Sequence, residues 1–290
     1  MKTLFLFFFT ISALYAKNPS QIIIEPENWI GLGFFMALYP ELESPQHYRD
    51  CYSDDKLFMA LPVRSWQGEI LAATGWLDDK ILVLQSREQK EIYCRMNNNG
   101  IIPELVFFKE LLDAGTLYKN KKVWSKVDFF HIPDNQRQGK RYPLRKFEPL
   151  TVIDVEPAPV SEHNSVRIFC RVLRTSMEGY FDVSLTGINR IPPMKSFAEH
   201  CFLENPQEIF QMSEAVWKAA REKRIIIGTP AEVVKIILGP PLTSREDRGE
   251  ILRLFYPSTK RGRSEYIFFR NKLLRVIRSQ DDEFPESRLF

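Results

Sequence analysis

Several patterns that announce a chemistry are missing from this chain. It has four histidines and four cysteines in 290 residues, with no Cys-x-x-Cys and no His-x-x-x-His anywhere. Metal-ligand pairs at zinc spacing are therefore absent from the sequence, and no metal or other cofactor is expected. Four cysteines are also too few for a disulfide scaffold. Cys51, Cys94, Cys170 and Cys201 could form two bridges in an oxidising compartment, with three pairings open. Charge of one sign is lacking too. Forty Lys and Arg against 37 Asp and Glu leave a net charge of +3, which gives no overall attraction to nucleic acid. Past the first residues, no apolar run approaches the roughly 18 needed to cross a bilayer, so no transmembrane anchor is expected.

What is present begins at residue 1. MKTLFLFFFTISALYAKN places one lysine before an apolar run from Leu4 to Ala16, then turns polar. That run is too short for a span and suits a secretory signal cut after Ala16. Residues 1–16 are thus expected to be a signal peptide, and the chain to be exported, periplasmic or secreted. Residues 17–56 carry no assignable pattern.

From Leu57 the text turns strand-like. Leu57–Ala60, Ile70–Ala72, Ile81–Leu84 and Glu91–Met96 are short apolar runs separated by turn residues, and Asn97-Asn98-Asn99-Gly100 leads to Ile101-Ile102. A second segment repeats the plan. Thr116–Lys119 opens it, Leu150–Val155 matches Ile81–Leu84, and Phe169-Cys170-Arg171-Val172 matches Tyr93-Cys94-Arg95-Met96. Two copies of a five-strand unit, at 57–112 and 113–190, are the simplest reading. The closing Gly179-Tyr180-Phe181-Asp182-Val183 and, more loosely, Gly100-Ile101-Ile102 resemble the bacterial SH3-like barrel. This resemblance implies two small barrels and a groove for a peptide or cell-wall ligand. Tyr118, Trp124 and Tyr142, with Arg137 and Arg141 of a basic loop, are the ligand-binding residues expected there.

A Pro-punctuated linker is read at 191–207. Beyond it Ser213 is a plausible helix cap, with Val216, Trp217 and Ala220 on one face. Gly228-Thr229-Pro230-Ala231-Glu232 raises the question of a phosphate loop, but Gly228 stands alone and Glu232 would repel an anion. The stretch reads instead as a capping box from Thr229 to Glu232, a short helix, and a stop at Gly239-Pro240-Pro241. Trp217, Ile227-Gly228-Thr229, Leu238-Gly239-Pro240-Pro241 and three following strands resemble the BamE-like (SmpA/OmlA) domain. The resemblance implies two helices on a three-stranded antiparallel sheet over 208–282, before a tail at 283–290. The expected fold class is therefore α+β and multidomain.

Function is expected to be non-enzymatic binding or scaffolding in the cell envelope. The partner would be a cell-wall peptide or an envelope protein. Basic clusters around Arg137 and at Lys260-Arg261-Gly262-Arg263 also allow contact with an anionic surface. Two alternatives stay open. Asp50-Cys51-Tyr52-Ser53 resembles the Asp-Cys-Ser-Gly of cell-wall cysteine peptidases without its Ser-Gly, which would make Cys51 a hydrolase nucleophile. The other is an accessory role in outer-membrane protein assembly. No catalytic residue is assigned.

Overall fold

A computed structural model describes residues 25–39, 45–133, 140–247, 250–258 and 262–280. The expected signal peptide, Arg137, Lys260, Arg261 and the tail lie outside the described residues. The described chain is mostly β, built from antiparallel sheets with few helices. None of its helices is long and apolar enough to cross a membrane. It divides into two compact units.

The first unit comprises 1–121, 130–142 and 150–200. Its leading sheet holds β1 (Gly33–Met36), β2 (His47–Tyr52), β3 (Ala60–Pro62), β4 (Ile70–Asp78), β5 (Ile81–Gln85), β6 (Glu91–Arg95) and β7 (Leu105–Phe107). The strand order is β3-β2-β6-β5-β4-β1-β7. A four-residue helix, α1 (Val63–Trp66), follows β3. Alternation along the strands sends Phe34, Met36, Leu71, Leu82, Leu84 and Ile92 into one core with Trp29 and Tyr48. Each such side chain contributes roughly 1.5–3 kcal/mol by leaving water. Helix α2 (Phe108–Tyr118) comes next, burying Glu110, Ala114 and Tyr118 at i, i+4 and i+8.

The chain then repeats itself. Strands β8 (Lys122–Ser125), β9 (Phe129–Ile132), β10 (Lys140–Pro143), β11 (Pro149–Pro157), β12 (Val166–Val172) and β13 (Glu178–Val183) precede α3 (Phe197–His200) and β14 (Cys201–Phe202). Within the first unit they run β10-β9-β13-β12-β11, the order of β3-β2-β6-β5-β4. The antiparallel pair β1·β7 has its counterpart in β8·β14, a pair that belongs to the second unit. The duplication is thus a matter of strand order, and it corrects the expected alignment by one strand. β5 corresponds to β12 and β6 to β13, so Cys94 and Cys170 are not equivalent. Cys94 sits opposite Cys51 across β2 and β6 and is bonded to it, while Cys170 is a buried free thiol in β12. Where the first copy has that bridge, the second lays the Phe130 ring of β9 against Gly179 of β13.

Four short expectations change. Leu57–Met59 is a turn, because the Asp54 carboxylate accepts the Phe58 and Met59 amides; only Ala60 enters a strand. Ile101-Ile102 is not a strand, because the Asn189 side chain takes both the amide and the carbonyl of Ile102, at 2.6 Å each. Thr116–Lys119 is not a strand either: Thr116 and Tyr118 end α2. The stretch read as a linker carries α3 and β14, and Phe197 anchors it by packing on Tyr118 and Phe181.

The second unit comprises 122–129, 143–149 and 201–290. It contains α4 (Pro206–Ile209), α5 (Glu214–Arg221), α6 (Ala231–Leu238) and the sheet β15 (Thr243–Asp247), β16 (Ile251–Ser258), β17 (Gly262–Phe269), β18 (Lys272–Gln280). Ser213 caps α5 as expected, accepting the Val216 amide at 3.4 Å. Phe147, Val216, Trp217, Ala220 and Val233 share one core; Ala231, Val234, Leu254, Phe268 and Leu273 form another, seating α6 on the sheet. Two details differ from the sequence reading. The sheet has four strands, since Thr243–Asp247 pairs along β16. Thr229 does not cap α6: its hydroxyl donates to Ile226 O at 2.7 Å, and Glu232 pairs with Lys235 at 2.7 Å. Pro230 stands at the cap position, and Gly239 ends the helix at φ +87. The last hairpin turns at Arg270-Asn271, both with positive φ.

A polar cleft as candidate functional site

The first unit carries a cleft of about 1060 Å³ walled by the first part of β2, the β4–β5 turn, the end of β6 and the turn after it, the approach to β7 and the loop after β11. Its walls mix both signs of charge. Arg49, Lys80 and Arg95 supply cations, Asp50, Glu104 and Glu162 supply carboxylates, and Tyr39 and Met96 give apolar surface. Two devices hold the charges in place. The Cys51–Cys94 bridge ties β2 to β6 directly beside Asp50 and Arg95, which form an ion pair at 3.5 Å. The Asn97–Gly100 turn, closed by the Asn97 carboxamide accepting the Asn99 amide at 2.9 Å, points two side-chain amides at Glu162, at 3.1 and 3.4 Å.

Glu104 is the unusual member. It is only 2% exposed, and its backbone carbonyl accepts the Ala37 amide at 2.7 Å. Its Oε2 has no hydrogen-bond partner. Burial pushes the Glu104 carboxyl above the ordinary carboxylate range, and the nearby Asp50 charge adds to this; amides of Glu104, Asp50 and Arg49 work in the opposite direction. Burial is also the main cause for Tyr39, whose phenol is pushed up to about 12, with Glu104 and Asp50 adding their repulsion. Tyr48, behind Tyr39 at 5.7 Å between ring centres, donates to Ala37 O at 3.1 Å and fixes that wall.

The residues expected from sequence lie elsewhere. Tyr118 is 9% exposed, with its ring 4.8 Å from that of Phe197. From Phe197 a chain of ring contacts runs through Phe181 and Phe130 to Tyr142, so Tyr118 and Tyr142 are two ends of one aromatic core rather than a shared groove. Tyr118 is buried at one end of this chain of rings, and Tyr142 is half-buried at the other. Arg141 is exposed beside Tyr142 on β10. Trp124 belongs to the second unit, half-buried against the core containing Phe147 and Trp217, with Lys122 Nζ 5.3 Å from its ring centre.

Cys51, bonded to Cys94, has no thiolate to offer a substrate. Two of the histidines are engaged in structure: His163 Nδ1 lies 2.9 Å from Ile191 O, and His200 stacks on Phe181 with its pKa pushed down to about 4, chiefly by burial. Among the described residues no three His, Cys, Asp or Glu side chains converge as metal ligands would. Sequence reasoning missed Tyr39, Arg95, Glu104 and Glu162. Asn97-Asn98-Asn99-Gly100 was the available signal, three carboxamides in a turn, but it reads equally as plain turn chemistry.

Comparison of the chain with protein-family models, with curated proteins and with solved structures gives no match.

Proposed function

We propose that this chain is a non-enzymatic binding or scaffolding protein of the bacterial cell envelope, recognising a peptide, cell-wall or protein ligand in the polar cleft. The observation that carries this reading is the cleft itself: six charged side chains of both signs, fixed by a disulfide and by a turn. Such a lining suits a ligand bearing charges of both signs. Export fits the Cys51–Cys94 bridge, which persists in oxidising compartments. The repeated strand order favours reading the two copies as SH3-like barrels, and two helices with an antiparallel sheet favour a BamE-like second unit enlarged by β15.

The test is co-sedimentation of the exported chain with purified cell-wall sacculi, with mass spectrometry of the supernatant. The expected result is pelleting without released fragments. Arg49→Ala with Lys80→Ala, two exposed positions in the cleft, should abolish pelleting. Released fragments would make the protein an enzyme, and pelleting untouched by the double variant would move the site out of the cleft.

A further inference from the structure

Buried carboxylates in folded proteins are hydrogen-bonded on both oxygens or paired with a cation, because an unmet acceptor costs about 1–3 kcal/mol. Glu104 meets this requirement on one side only. Backbone amides of Arg49 and Asp50 act on its carboxyl, while Oε2 is screened from solvent and has no donor. Arg190, itself buried, is close enough to feel the Glu104 charge, but its guanidinium donates to Asn164 O and Asn189 O. The other charged and titratable groups around Glu104 are Asp50, Arg49, Tyr39 and Tyr48. Of these Asp50 repels a second negative charge, and the two phenols stay neutral. The side chain therefore stands in the wall of an open cleft as an acceptor without its donor.

We propose that the cleft is a receptor for a primary ammonium group, the free amino terminus or lysine-like side chain of a short peptide, received at Glu104. This rests on the reading of the chain as a binding protein and names the chemistry of its ligand. The ammonium carries three donors and a positive charge, so a single group satisfies Oε2 and offsets the repulsion between Glu104 and Asp50. Glu104 lines the cleft with Oε2 turned from solvent, so receiving the ammonium requires its carboxyl to turn outward. Glu162, held by Asn97 and Asn99, gives a second carboxylate for the same cation or its neighbour. Lys80 and Arg95 stand in the same walls for a ligand carboxylate. Tyr39 and Met96 offer contact surface for the ligand's methylenes.

The test uses the full disulfide-bonded chain and isothermal titration with amidated Ala-Lys-Ala, against the same tripeptide acetylated at both amines. The free-amine peptide should bind, and acetylation should weaken it at least tenfold. Glu104→Gln, which keeps shape and removes charge, should weaken it on the order of tenfold or more. Should that variant fail to fold, the wild-type pH profile decides. Affinity should fall as the pH drops through the raised Glu104 value, because protonation of Glu104 removes the acceptor charge. The profile is measured in a His47→Gln background, since the His47 imidazole also lines the cleft. Equal binding of the acetylated peptide, a folded Glu104→Gln variant with unchanged affinity, or a flat pH profile each overturns the ammonium receptor. Sacculus pelleting that survives such a result leaves the envelope-binding reading standing; loss of both removes both.

Discussion

Replacing Gly179 by alanine puts a methyl carbon 1.8 Å from two ring carbons of Phe130 and 2.6 Å from the backbone oxygen of His131. No Cβ tolerates these distances, and one obstacle is backbone, so the ring has to leave. Phe130 has nowhere to go: it is fully buried, stacked on Tyr142 at 5.5 Å and edge-on to Phe181 at 6.2 Å. Displacing it surrenders its burial, which large-to-small core substitutions value at about 3–5 kcal/mol for Phe. Widening the β9–β13 spacing instead costs ladder hydrogen bonds of about 0.5–1.5 kcal/mol each. Either route predicts a loss of roughly 3–5 kcal/mol for Gly179→Ala, concentrated in β9 and β13. Phe130→Ala should cost a similar amount alone. The double variant should cost clearly less than the sum, with a coupling of about 1–3 kcal/mol, because the clash with the ring is gone and only the approach to the His131 oxygen remains. Urea denaturation read by hydrogen exchange of β9 and β13 measures all three. A Gly179→Ala chain within 1 kcal/mol of wild type, or strict additivity in the double variant, refutes the claim that this glycine exists to seat that ring.

The Cys51–Cys94 bridge closes a loop with a sequence separation of 43, so its removal by Cys51→Ala with Cys94→Ala should cost about 4 kcal/mol through chain entropy. The native, unreduced chain should show no rapidly reacting thiol, and two thiols, Cys170 and Cys201, on unfolding; a fast-reacting native thiol counts against the pairing. Glu104 has its carboxyl pKa raised on folding, so the folded state binds that proton more tightly than the unfolded chain. Its contribution is full below about 4.5, the unfolded value, and is lost as pH rises through the higher folded value. Stability of wild type relative to Glu104→Gln should thus fall with rising pH over that window, and parallel curves would show the group unperturbed. Arg270 holds φ +48 in the last hairpin turn, so Arg270→Asn should raise stability by roughly 1 kcal/mol in thermal melts despite losing an exposed ion pair with Glu250.

How much of this was legible follows from how locally each feature is determined. The strands β5, β12 and β16–β18 are readable because alternation and turn residues specify them within a few positions. Helix α2 hid because a carboxylate, Glu110, occupies its buried face; Ser184 and Thr186, 74 and 76 residues away, donate to it, and no window around Glu110 contains those donors. Ile101-Ile102 failed for the same reason, its backbone being taken by Asn189, 87 residues on. The repeat was visible but misaligned. Tyr93-Cys94-Arg95 and Phe169-Cys170-Arg171 look alike in sequence, whereas the true equivalents, β6 and β13, solve one packing problem with different chemistry, a covalent bridge in one copy and a ring over a glycine in the other. The cleft is the extreme case. Its charged residues come from β2, the β4–β5 turn, the end of β6, the approach to β7 and the loop after β11, so nothing short of the fold brings them together. What the sequence could convey was the kind of wall each piece would make, a rigid strand or an Asn-rich turn. The orphaned oxygen of Glu104, on which the ligand chemistry turns, exists only once those walls have closed around it.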